Sequence, residues 1–276
     1  MKTRLLLCTM VLAGSALGCL RSPSPLVPSA EGSIGLPHRG ALVNAAKIPA
    51  EGPHVKRLRG DDRAFAVPRL LEAVDRAAAE VMTQKRGEKL VVGDFSREHG
   101  GVLLPHLSHR SGRDGDLLLY YTTLDGAPVE APGFIHVEAD GLAWDEAHAR
   151  FLRFDVEREW WFVRALLSDE SARIQWIFAN HNVRALLLEW ARARGESDEL
   201  LSRAALALAE PKPGGLHDDH LHVRTACTDE ELVSGCEASG PKRAWIPERR
   251  EWADEDAYLL ALELMRPLAS SMVATR

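Results

Sequence analysis

The chain has 276 residues, with 34 Lys and Arg against 40 Asp and Glu, four Cys, and a net charge of −6. Apolar residues make up 46% and charged residues 27%, a globular balance in a chain long enough to bury a core, which excludes wholesale disorder and a disulfide-dense miniprotein. The acidic surplus also excludes a nucleic-acid binder that works by bulk phosphate neutralisation.

Met1–Cys19 comes first in chain order. Lys2 and Arg4 form a basic start, Leu5–Ala13 is apolar, and Ala13, Gly14, Ser15, Ala16 and Gly18 are small. This is the layout of an export signal, too short to span a bilayer. Ala16-Leu17-Gly18-Cys19 resembles a bacterial lipobox, which predicts a signal over residues 1–18 and an acylated Cys19; an ordinary secretory signal is the alternative. By resemblance to lipoprotein sorting rules, Leu20 after that cysteine, rather than Asp, favours the outer membrane if the cell has one. Residues 19–32, with the Pro/Ser-rich Arg21–Ala30, read as a flexible tether. Export puts the mature chain in an oxidising compartment. There Cys227 and Cys236, nine residues apart, read as a disulfide, with two free thiols as the alternative.

Ser33–Gly60 carries many Gly and Pro without strong periodicity and is expected to wrap a core rather than form one. Pro68–Thr83 is a predicted helix: Pro68 suits its first turn, and Leu70, Leu71, Val74, Ala77, Ala78 and Val81 share a face. Strands are predicted over Lys89–Val92 and Leu117–Thr123. A helix follows over Asp155–Leu167 with Asp155 as N-cap, then a strand over Arg173–Ala179. Helices over Val183–Arg194 and Asp198–Leu208, a strand over His220–Ala226 and a C-terminal helix over Trp252–Met265 complete the pattern. Short strands among helices and long loops define an α+β class. Trp160, Trp161, Trp176 and Trp190 are expected in the core, His99, His136, His148 and His181 as structural or exposed, and Arg57–Asp62 as a solvated loop. Tyr120 and Tyr121 alternate across a strand, so one of them can reach a groove.

Six of the eleven His lie in or beside two segments, His99 to Asp116 and His217 to His222. On a strand, His220 and His222 point to one face and can meet one ion. His-x-His alone is weak, because most such pairs are ordinary surface residues. His217 and the carboxylates of Asp218 and Asp219 strengthen it, since carboxylates beside a metal-binding His fix its tautomer. In the first segment Gly112 and Gly115 permit a tight loop between His109 and Asp116, and Asp116 opens an apolar strand, where it needs a partner such as a metal. Two His and one carboxylate with a position open make a catalytic zinc arrangement. The six-residue spacing between His109 and Asp116 departs from the His-x-Asp of iron oxygenases, and an oxidising setting suits redox-inert Zn²⁺.

His109-x6-Asp116 followed by His220-x-His222 resembles the metallopeptidase fold of lysostaphin, D-Ala-D-Ala peptidases and hedgehog proteins. Ser33-Ile-Gly-Leu-Pro37, Val92-Gly-Asp-Phe-Ser-Arg97, His99-Gly-Gly101, Ser108-His-Arg-Ser-Gly-Arg-Asp114, Gln175-Trp-Ile-Phe178, His217-Asp-Asp-His-Leu-His-Val-Arg224 and the Cys227…Gly235-Cys236 pair are similar to penicillin-insensitive murein endopeptidases. Where those enzymes usually carry Gln and a branched apolar residue, this chain has Arg110 and Gly115. The resemblance covers about Ser33–Cys236 and implies an α+β domain, taken as residues 33–240, with a small antiparallel sheet carrying the zinc site between helices and long loops; the Trp245–Arg276 tail lies outside it, and residues 241–276 are expected from their own pattern to form a helical extension.

The resemblance also implies that His109, Asp116 and His222 bind Zn²⁺, with His106 an additional ligand or a hydrogen-bonding neighbour. His220 would be the general base, and His217 would stabilise an oxyanion or shuttle a proton. The implied function is hydrolysis of the D-Ala–meso-diaminopimelate cross-links of peptidoglycan, in the periplasm, by a lipoprotein held to the membrane through Cys19. A D-Ala-D-Ala carboxypeptidase of the same fold and a catalytically silent, zinc-bound wall-binding lipoprotein are the alternatives.

Overall fold

The computed structural model describes residues 30–211 and 217–247. The expected signal, Cys19 and the helix over Trp252–Met265 lie outside the described residues. Among the described residues, no helix is long and apolar enough to cross a membrane.

The chain opens with a hairpin of β1 (Gly32–Leu36) and β2 (Arg39–Val43), then β3 (Ala46–Lys47), β4 (Val55–Arg57) and β5 (Phe65–Ala66). Helix α1 (Pro68–Gln84) follows, and β6 (Leu90–Val92) and β7 (Asp114–Leu118) flank a long loop. Next come β8 (Tyr121–Thr122), β9 (Pro128–Val129), β10 (Leu142–Asp145) and β11 (Arg150–Phe154), which form one four-stranded antiparallel sheet. The rest is α2 (Val156–Ser168), β12 (Ile174–Phe178), α3 (His181–Ala193), α4 (Asp198–Ala207), β13 (Leu208–Ala209), β14 (His220–Thr225) and α5 (Asp229–Val233).

The principal sheet has the order β13-β12-β14-β7-β6-β4. Its four central strands run antiparallel, while β13 and β4 pair in parallel at the two edges. The α+β class holds, and the sheet is larger and more mixed than the small antiparallel sheet expected. Helix α1 buries the apolar stripe Leu70, Leu71, Val74, Ala77, Ala78 and Val81, and it packs on α2. Asp155 caps α2 by accepting the Arg158 N–H. Trp160 is fully buried, whereas Trp161 and Trp190 pack on the rim of the core.

Three local expectations change. Ser33–Gly60 contributes strands and buries Leu42, Ile48 and Val55 in the core, and Arg57 ends β4 with its side chain only 6% exposed, rather than in a solvated loop. The single strand expected over Leu117–Thr123 breaks at Leu119 and Tyr120. The Tyr120 N–H donates to Glu159 Oε2 and its carbonyl accepts the Asp155 N–H, so α2 takes over the backbone bonds a strand partner would make. Tyr120 and Tyr121 are both buried and neither opens onto a groove. Asp116 consequently lies inside β7 rather than at a strand mouth. Gly115 also lies in β7, where a Cβ would stand 2.3 Å from Phe95 Cε1; of the two loop glycines expected, Gly112 alone has the left-handed φ of +75°.

Candidate metal centre

The register of three strands builds one chemical face. His222 lies opposite Asp116 and Arg224 opposite Asp114 across β14 and β7. Across β14 and β12, Phe178 lies opposite His222 and Trp176 opposite Arg224. Directly opposite residues of an antiparallel pair share a face. The row Asp116–His222–Phe178 therefore runs beside the row Asp114–Arg224–Trp176.

His109 reaches this face from the loop between β6 and β7. Its φ of +51° is left-handed, a costly geometry for a residue with a Cβ, and its surroundings hold it there. Arg110 N–H donates to Pro37 O, Gly112 N–H donates to Ser96 Oγ, and His109 Nδ1–H donates to Phe95 O at 3.1 Å. The last bond fixes the tautomer and leaves Nε2 toward the sheet. His222 is oriented the other way round: Nε2–H donates to Asp114 Oδ1 at 2.7 Å, leaving Nδ1 toward the centre.

Three donor atoms converge. His109 Nε2 and Asp116 Oδ1 are 3.2 Å apart, His222 Nδ1 and Asp116 Oδ1 are 3.2 Å apart, and the two imidazole nitrogens are 3.4 Å apart. Two ligands about 2.1 Å from a tetrahedral ion are about 3.4 Å from each other. Asp116 is fully buried, and neither of its oxygens has a hydrogen-bond partner. Burial opposes its ionisation, but His109, His220 and His222 outweigh that and hold its carboxyl well below the usual range. A buried, ionised carboxylate with orphaned oxygens among imidazole nitrogens fits a divalent cation.

The other expected residues stand around this trio. His106 turns Nδ1 to Asp116 Oδ2 at 3.6 Å, and its Nε2 pairs with Asp94 Oδ2 at 2.7 Å. His220 presents Nε2 3.4 Å from Asp116 Oδ1, while its Nδ1 bonds Asp219 and its ring meets Phe134 edge-on. Burial opposes protonation of His220, yet Asp116 and Asp219 push its pKa up to about 9. His217, at φ +96°, places its ring centroid 5.0 Å from that of His220 and 5.5 Å from that of His222. His106, His109 and Asp116 form one group able to hold a metal, and His217, His220 and His222 another. Cys227 and Cys236 form the expected disulfide. His99, His136, His148 and His181 are exposed, as expected.

Asp94, Asp114, Phe95 and Arg224 were not assigned roles from sequence. Asp114 orients His222 and also accepts the Arg224 Nε–H at 2.7 Å. Its signal was available: two residues before Asp116 on a strand is the same face. Asp94 had only its place after an apolar strand.

The sequence profile of the penicillin-insensitive murein endopeptidase family matches residues 33–245. The chain belongs to this family. The span shared with the penicillin-insensitive murein endopeptidases contains every donor described above. Curated proteins carrying that family's name, from Yersinia pestis bv. Antiqua (strain Antiqua) and Yersinia pseudotuberculosis serotype I (strain IP32953), are 33% identical over 115 residues. That alignment covers 41% of this chain and 41% of each relative, so the chain spans about two fifths of the length of the curated relatives it matches.

Proposed function

We propose that this chain is a zinc-dependent murein endopeptidase that hydrolyses the amide joining D-Ala to meso-diaminopimelate in peptidoglycan cross-links. One observation carries the reading: His109 Nε2, Asp116 Oδ1 and His222 Nδ1 converge, with His220 Nε2 held 3.4 Å from the same carboxylate oxygen. Two nitrogens and one oxygen suit zinc, which supplies Lewis acidity that makes water acidic near neutral pH and polarises a carbonyl. A catalytic zinc site keeps one position open, so we assign His106 as a neighbour of Asp116 Oδ2 rather than a fourth ligand.

The work of proton transfer falls to His220. Asp219 occupies Nδ1, so the Nε2 lone pair faces the centre and can take a proton from the attacking water. The raised pKa of His220 owes much to Asp116. With a cation held at Asp116, that carboxylate's pull on His220 would weaken, leaving the imidazole better able to act as a base near neutral pH. His220 then returns the proton to the departing amine. His217 lies beside both imidazoles, and we assign it to the developing oxyanion.

The same reading makes the chain an exported lipoprotein of the periplasm, anchored through Cys19, with peptidoglycan as its partner. The catalytic domain spans residues 33–240 and residues 241–276 form an extension. The disulfide supports an oxidising compartment. Mass spectrometry of the membrane-bound chain checks the anchor: an unmodified Cys19 rejects it.

The decisive assay incubates the mature protein with cross-linked muropeptide dimers, with and without a chelator. Conversion of dimers to monomers that the chelator abolishes is the expected result. Loss of a terminal D-Ala alone identifies a carboxypeptidase. Bound zinc without turnover leaves a wall-binding protein.

A further inference from the structure

Arg59 follows β4, where the Leu58 N–H donates to Val92 O and seats the segment beside β6. Its side chain is 47% exposed, with Nε 3.7 Å from Asp94 Oδ1. Its guanidinium carbon lies 5.2 Å from the centre of the Phe134 ring, and Phe134 meets His220 edge-on at a centroid distance of 5.2 Å. Through Asp94, whose other oxygen pairs with His106, Arg59 also adjoins the opposite side of the site. It therefore stands at the mouth of the centre, between His106 and His220.

The charges around it are unequal. Asp94 is one carboxylate, met at short range by Arg63 Nη1 at 2.9 Å and His106 Nε2 at 2.7 Å. Both bonds fall on Asp94 Oδ2, and Arg59, at 3.7 Å from Oδ1, makes no hydrogen bond to it. A half-exposed guanidinium with a weak commitment, beside a hydrolytic centre, is matched to a carboxylate by its planar fork of donors.

The substrate of the proposed reaction has that carboxylate. The amine released from the cross-link sits on a diaminopimelate carbon that also bears a free carboxylate. His220 returns the proton to this amine, so the departing half lies on the His220 side, toward Phe134 and Arg59. We infer that Arg59 binds this carboxylate and makes the enzyme selective for it over the corresponding carboxamide, with Phe134 supporting the adjoining alkyl chain. The inference rests on the endopeptidase reading above.

The test uses the zinc-loaded protein and two muropeptide dimers that differ only in this group, carboxylate or primary amide. The unsubstituted enzyme prefers the carboxylate dimer by roughly tenfold in kcat/KM, through KM. Arg59→Ala brings the ratio close to one, and Arg59→Lys, which keeps the charge without the fork, retains part of it. A ratio that survives Arg59→Ala overturns the inference, as does a loss shared equally by both dimers. Calorimetric binding of the matching monomeric peptides decides the same point without turnover: a carboxylate preference that Arg59→Ala removes is expected, and equal binding of both peptides by the unsubstituted protein overturns it. Failure to cut either dimer rejects the endopeptidase reading instead, while the calorimetric pair still judges Arg59.

Discussion

Asp114 grips His222 from behind: its Oδ1 lies 2.7 Å from His222 Nε2, and the same oxygen takes the Arg224 Nε–H at 2.7 Å. Burial opposes ionisation of Asp114, but Arg224 and His222 keep it charged. The ionised carboxylate makes the imidazole a better donor through Nδ1. Asp114→Asn keeps the shape and loses the charge. Zinc affinity, measured by competition with a chelating dye, is expected to fall ten- to a hundredfold, a typical range for such partners. An unchanged affinity rejects this role.

His220 and His222 are neighbours on one strand face, and the proposed mechanism gives them different tasks. His220→Ala is expected to retain stoichiometric zinc and lose roughly 10²–10⁴-fold in turnover, the usual span for a general base. His222→Ala is expected to lose zinc and activity together. Metal analysis beside the dimer assay separates them, and loss of zinc in the first variant means that the two roles are exchanged.

Glu159 gives a prediction independent of the centre. It is fully buried on α2, and burial pushes its pKa up to about 8 from 4.5, against the favourable Tyr120 N–H. Below pH 4.5 the carboxyl is neutral folded and unfolded, and it costs nothing. Between 4.5 and 8 the unfolded chain releases the proton and the folded chain keeps it, so stability falls as pH rises. The slope is at most about 1.4 kcal/mol per pH unit. Glu159→Gln still accepts the Tyr120 N–H and removes this slope. Urea unfolding at pH 5 and pH 8 is expected to show the variant gaining on the parent at the higher pH; parallel losses in both proteins count against it.

Gly115 is coupled to the centre through Phe95. A Cβ at Gly115 meets the Phe95 ring at 2.3 Å, and the Phe95 carbonyl holds His109. Gly115→Val is expected to destabilise the fold by about 1–3 kcal/mol through overpacking and to weaken zinc binding. Shrinking the ring with Phe95→Leu in the same chain relieves the clash and restores part of both. A Gly115→Val protein with the parent's melting temperature and zinc affinity breaks the proposed link.

Much of this was legible in sequence where pattern and fold agree. The stripe from Leu70 to Val81 is local, and so is the alternation that points His220 and His222 one way. The hairpins were hidden for physical reasons. Gly32, Gly35 and Gly40 dilute any alternation in β1 and β2, whose order depends on distant partners such as Glu231, which accepts the Ser33 N–H. In β10 and β11 the outward positions carry Trp144 and Phe151, exposed yet apolar, so the inside–outside contrast that reveals a strand is missing. Asp114 had a mark in its place two residues before Asp116, but its bond to His222, 108 residues away, and the bond of Asp94 to His106 depend on the folded chain, and spacing carries no mark of them.

The disulfide loop has a consequence for the order in which the protein can be made. Gly35 bonds Gly235 and Glu237 beside Cys236, while Leu42 and Pro37 of the same hairpin bond His99 and Arg110 of the loop that presents His109. A chain that emerges N-terminus first thus exposes its hairpin long before the segment that fastens it. Until that late segment arrives, the hairpin behind the His109 loop lacks those bonds, so the backing of the donor set is completed by nearly the last part of the described chain.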